Sequence, residues 1–113
     1  MPPSNLDTLD VHEILEQLVI TNPETVPVLF HAERQRILRC LIQEEKTIQE
    51  LSGELHLNPG TIKRHLSALT ACDLVRPSKI LVNQYGIKMK YYRAVAKEYV
   101  ISLRWPDKEE CSS

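Results

Sequence analysis

The chain has 113 residues, with 14 Lys and Arg against 15 Asp and Glu, 42% apolar residues, three Cys, one Trp and one Phe. This describes one small domain with a single modest core, and no apolar run approaches the roughly 20 residues that a membrane span needs. The start, MPPSNLDTLD, has no basic segment leading into an apolar stretch, and no cysteines stand in CxxC spacing, so a cytoplasmic protein with reduced thiols is expected.

The formal charge of -1 hides an uneven distribution. Residues 1–30 hold Asp7, Asp10, Glu13, Glu16 and Glu24 with no Lys or Arg. Between Thr61 and Arg104, by contrast, nine basic residues face only Asp73 and Glu98, a block that suits a polyanion.

Taken in order, the first expected element is a helix from Asp10 to about Ile20, with Glu13 as a capping-box partner and Val11, Ile14, Leu15, Leu18 and Val19 at helical spacing. The segment TNPETVP at 21–27 reads as a connection. Ile37, Leu38, Leu41 and Ile42 predict a second helix over about 31–45. Arg34, beside that apolar stripe, is expected to bond carbonyls or a carboxylate with its stem packed. Thr47 and Glu50 form a T-x-x-E capping box for a short third helix ending near His56. Asn58 and Pro59 stop the chain and restart it as a fourth helix, which closes near Asp73. Two helices joined by so short a turn form a helix-turn-helix. Beyond Pro77 the period changes to two: Lys79 to Val82 and Ile87 to Val95, around Asn83-Gln84-Tyr85-Gly86, predict a β-hairpin. Residues 96–104 lean towards a short strand, and the tail from Pro106 is polar.

On a helical wheel with Ile62, Leu66 and Leu69 turned inward, Gly60, Arg64, Ser67 and Ala71 turn outward, with Thr61 and Lys63 on the flanks and His65 between the outer face and the core. Such a face, free of bulk and supplied with donors, suits entry into a major groove. Asn58, Gly60, Thr61, Lys63, Arg64, His65 and Ser67 are therefore the expected groove residues. Lys79, Lys88, Lys90 and Arg93 would place the hairpin on the phosphate backbone. Tyr91 and Tyr92 are expected on opposite sides of it.

Four stretches resemble the ArsR-type winged-helix regulators. Leu29-Phe30-His31-Ala32-Glu33-Arg34-Gln35-Arg36-Ile37-Leu38 is similar to that family's opening helix, and Ile48-Gln49-Glu50-Leu51 to its short second helix. Thr61-Ile62-Lys63-Arg64-His65-Leu66-Ser67-Ala68-Leu69 with Leu74-Val75-Arg76 is similar to its recognition helix, and Tyr91-Tyr92-Arg93-Ala94 to the end of its wing. Asp73 stands where the family usually has Gly. The resemblance covers about residues 29–95 and implies a homodimer that binds an operator and blocks transcription.

The expected fold class is therefore mainly α with a small β-hairpin wing: a winged helix-turn-helix over 29–95, an N-terminal helical arm over 1–28 and a C-terminal extension over 96–113. The acidic arm would lie away from double-stranded DNA and dimerise through Val11, Ile14, Leu15 and Leu18. The family's metal ligands are missing: residues 48–55 contain no Cys and the C-terminal segment no His. His12, His31, His56 and His65 are dispersed without ligand spacing, as are Cys40, Cys72 and Cys111, so neither metal nor cofactor is expected. No Gly-rich phosphate loop, paired carboxylates or nucleophile grouping points to an enzyme. The alternative is a winged-helix protein-interaction module whose basic face meets an acidic partner.

Overall fold

The three longer helices each begin where a side chain satisfies a backbone N–H that has no partner in the first turn. The computed structural model describes residues 14–106 and contains helices α1 (Thr25–Leu29), α2 (Ala32–Gln43), α3 (Ile48–Leu55) and α4 (Pro59–Ala71). The His31 imidazole accepts from the Glu33 N–H at the head of α2. At α3 the capping box is complete: Thr47 Oγ1 accepts from the Glu50 N–H at 3.1 Å, and the Glu50 carboxylate accepts from the Thr47 N–H at 2.9 Å. Asn58 Oδ1 takes the Gly60 N–H at 2.7 Å, with Pro59 in the first turn of α4.

The end of α4 is equally well defined. Asp73 adopts φ 59°, its N–H reaches the Thr70 carbonyl at 3.0 Å, and the Leu74 N–H reaches the Leu69 carbonyl at 2.9 Å. This is a Schellman closure, sealed by the buried Leu69 and Leu74. It uses a left-handed residue, the conformation that favours glycine, and Asp is among the few others that tolerate it.

Strands β2 (Lys46–Thr47), β3 (Val75–Val82) and β4 (Lys88–Ala94) form an antiparallel sheet in the order β2-β4-β3. Pro77 is accommodated because β3 is an edge strand whose register shifts between Pro77 and Lys79. In the hairpin turn Asn83 Oδ1 accepts from the N–H groups of Tyr85 and Ile87, and Gly86 takes φ 77°. A second, two-stranded sheet pairs β1 (Leu18–Ile20) with β5 (Tyr99–Ile101) in parallel. The core lies between the helices and the base of the wing, with Ile37, Leu41, Leu51, Ile62, Leu66 and Leu69 closed to solvent together with Leu74 and Val75.

Two expectations are corrected. The N-terminal helix is absent over its described part: Leu15 bridges to Ala96, and Leu18–Ile20 is a strand. Its apolar run is short and β-branched, and a parallel partner at Tyr99–Ile101 buries Ile20 while leaving Val19 outside, so the period-two solution wins. Asp10, Val11 and Glu13 lie outside the described residues. The expected connection at 21–27 instead opens into α1, because Pro23 precedes the helix and Pro27 sits in its first turn, where a missing N–H costs nothing. Residues 96–104 do contain the expected strand, and the Tyr99 hydroxyl donates to the Leu74 carbonyl at 2.6 Å, tying this flank to the end of α4. Among the described residues no helix is long and apolar enough to cross a membrane.

Candidate nucleic-acid interface

The outward side of α4 is small and basic. Gly60, Lys63, Arg64, Ser67 and Ala71 are exposed and Thr61 is half-buried, while Ile62, Leu66 and Leu69 are covered. Asn58 has its carbonyl oxygen committed to the cap, where a Cβ on Gly60 would sit 3.2 Å from it. The pair therefore shapes the helix start and leaves backbone N–H groups at the positive end of the helix dipole.

His65, expected on the groove-facing side, is buried. Its Nε2 lies 2.8 Å from Glu33 Oε1, and its Nδ1 accepts from Arg34 Nε at 3.1 Å. Arg34 also donates from Nη1 to the Val28 carbonyl, in line with the carbonyl-bonding role expected of it. His65 is thus the inner anchor of α4 rather than a base-reading group. The bond to His65 holds the Glu33 carboxyl below the usual carboxylate range. Nothing in the spacing of residues 33, 34 and 65 announces this cluster, because it forms only when α2 and α4 pack.

Opposite the outer face of α4, the base of the wing supplies Pro77, Lys90 and Tyr92, which with Lys63, Ser67 and Thr70 line an open groove. The Lys90 ammonium stands 5.5 Å from the centre of the Tyr92 ring, and that of Lys79 4.8 Å from the centre of Tyr91. Both tyrosines are half-buried, Tyr92 against the core. Lys79 is held at 2.6 Å by Glu45, which raises its pKa, so its charge is partly spent inside the protein. Lys88 and Lys90 are exposed. Arg93 sits half-buried at the foot of the hairpin, opposite Arg76.

Of the residues expected to dimerise, Val11 lies outside the described residues, Ile14 and Leu18 are partly buried against the core, and Leu15 is exposed. Leu15 shares the terminal flank with other exposed apolar residues, among them Val19, Leu103 and Trp105. Cys40 and Cys72 are free and half-buried. Burial raises the Cys40 thiol, which makes it a poor nucleophile.

Residues 32–76 match the family model described as bacterial regulatory protein, arsR family. No curated protein matches the sequence significantly. Among solved structures, the transcriptional regulator HlyU from Vibrio vulnificus CMCP6 is 24% identical with a TM-score of 0.53, over 64% of this chain and 69% of that one. A possible transcriptional regulator for arsenical resistance is 26% identical with a TM-score of 0.53, over 65% of this chain and 70% of that one. The homodimeric winged helix-turn-helix DNA-binding domain of Mb0332 from Mycobacterium bovis is 20% identical with a TM-score of 0.54, over 84% of this chain and 70% of that one.

Proposed function

We propose that this chain, whose residues 32–76 match the arsR family model, is an ArsR-type winged helix-turn-helix regulator that acts as a dimeric, sequence-specific transcriptional repressor. Regulators of this type bind DNA and are not enzymes. The observation that carries the proposal is the outer face of α4: small residues around Arg64, flanked by Lys63, on a helix whose other side is locked into the core. In this reading Arg64 reaches base edges, while Lys63, Thr61 and Ser67 make phosphate or polar base contacts. Lys88 and Lys90 on the wing meet the backbone beside the groove, and repression follows from occupying the operator.

Dimerisation is supported by the homodimeric Mb0332 domain and by the apolar surface beside the β1–β5 ribbon, where Val19 and Leu103 are about half exposed. A two-fold dimer would read half-sites about one helical turn, roughly 34 Å, apart. Selection of bound DNA from a random pool, followed by sizing of the complex, tests both parts. A recovered palindrome bound by two chains is the expected outcome; recovery of unrelated sequences would overturn the reading.

A second reading has one observation of its own. Ile80, Val82, Tyr85 and Ile87 leave the wing with an exposed apolar surface, which suits a protein partner as well as a nucleic acid. A gel shift on the gene's own promoter with unlabelled competitor separates the two, since a protein-interaction module predicts no sequence-dependent retention.

A further inference from the structure

His31, Glu33 and His65 bring one possible metal-ligand atom each to within 4.8 Å of one another. The set joins two elements: His31 and Glu33 lie at the head of α2, and His65 reaches them from α4. The two imidazole rings are 4.6 Å apart between centres, with planes inclined by 58°. Two imidazoles and a carboxylate suit zinc and neighbouring first-row divalent ions, with a water completing a tetrahedron. At metal–ligand distances of about 2.0–2.2 Å the ligand atoms of such a site lie roughly 3.3–3.6 Å apart. Side-chain shifts of about 1 Å therefore close it, and the Glu33 side chain, 37% exposed, has room to make them.

We propose that His31, Glu33 and His65 form a binding site for a divalent transition metal, with zinc the fitting ion, that bridges the start of α2 and the recognition helix. The inference stands on these side chains and does not depend on the proposed operator binding.

The protons make the site conditional. Arg34 Nε–H donates to His65 Nδ1, so without an ion the ring carries its proton on Nε2, where it is donated to Glu33. Coordination through Nε2 leaves the ring neutral but moves that proton to Nδ1, where it meets a guanidinium that has only donors to offer. Metal binding and the Arg34–His65 hydrogen bond exclude one another. His31 yields less: a 3.3 Å contact from the Glu33 N–H to its Nδ1, the longest bond in the cluster. The ion thus exchanges one anchor of α4 for another, and the Arg34 charge makes it a reversible site rather than a permanent structural one.

The test uses the full chain, Zn(II) in competition with a chromogenic chelator, and the visible absorption of bound Co(II). One equivalent should bind, with a Co(II) spectrum of tetrahedral type. His31→Ala and Glu33→Gln should each weaken binding at least tenfold, with the circular-dichroism spectrum in chelator still that of the folded parent chain at a temperature below both melts. Arg34→Gln replaces a donor by an amide whose oxygen can accept from Nδ1–H, as second-shell groups of metal-bound histidines do, and should tighten binding several-fold. Failure to bind Zn(II) at micromolar concentration would overturn the site. Binding that survives both His31→Ala and Glu33→Gln would assign the ion elsewhere and overturn it equally. Unchanged or weaker binding in Arg34→Gln would overturn the exclusion between ion and guanidinium.

Discussion

The recognition helix and the wing face the same groove but are built on opposite plans. α4 turns one side entirely into the core through Ile62, Leu66 and Leu69 and is fastened at both ends, by Asn58 at its head and by the Asp73 closure at its tail. His65 adds an inner polar anchor to Glu33 and Arg34. The hairpin is held only at its foot: Val75 and Ala94 are buried, but from Ile80 to Ile87 its apolar side chains are open, with Val82 at 62% and Tyr85 at 77% exposure. In the helix, therefore, stability and the proposed recognition are carried by different faces of one rigid element. The outer wing contributes little to the core, so its residues are free to serve contact alone.

The largest effect expected from this contrast is on stability. Leu66→Ala on the inner face of α4 should lower the unfolding free energy by about 2–5 kcal/mol in chemical denaturation. A loss below about 1 kcal/mol would mean that the helix is less firmly seated than its burial implies. Next in size is a binding effect: Arg64→Ala should cost about 1–3 kcal/mol on the selected DNA and relax one base position, with the fold unchanged by circular dichroism. An equal loss on every sequence would reduce Arg64 to a phosphate contact and blur the distinction between helix and wing. Lys88→Ala should weaken binding uniformly across sequences and reduce the salt slope by about 1, as measured by titration at several ionic strengths. Smallest is Val82→Ala, whose stability change should stay within about 0.5 kcal/mol because the side chain is open in the free protein. A larger destabilisation would show that the outer wing has a packing partner, such as a second chain.

The helix-turn-helix was legible because its signals are local. Thr47 with Glu50 and Asn58 with Pro59 are start signals whose hydrogen bonds span at most three residues, and the leucine and isoleucine spacing marks the buried face of each helix. The hairpin was legible for the same reason, through period-two alternation around Asn83 and Gly86. Exposure of Gly60, Arg64 and Ser67 followed from helical geometry alone. The terminal flank was not legible. Leu18-Val19-Ile20 is compatible with either period, and what decides it is a parallel partner about 80 residues away. The position of His65 escaped as well, since a residue at the edge of a helical stripe turns inward only if a neighbour offers it partners, and Glu33 and Arg34 do so from another helix.

The sequence by itself determined the three helices α2, α3 and α4 with the caps at Thr47 and Asn58, the composition of the outward face and the resemblance to a family, all of which depend on interactions within one turn or one strand pair. Tertiary structure alone decided that Leu18–Ile20 and Tyr99–Ile101 meet as a parallel ribbon and that two histidines and a glutamate gather beneath the recognition helix. Those outcomes depend on contacts between residues far apart in sequence, whose free energy exists only after the helices have packed.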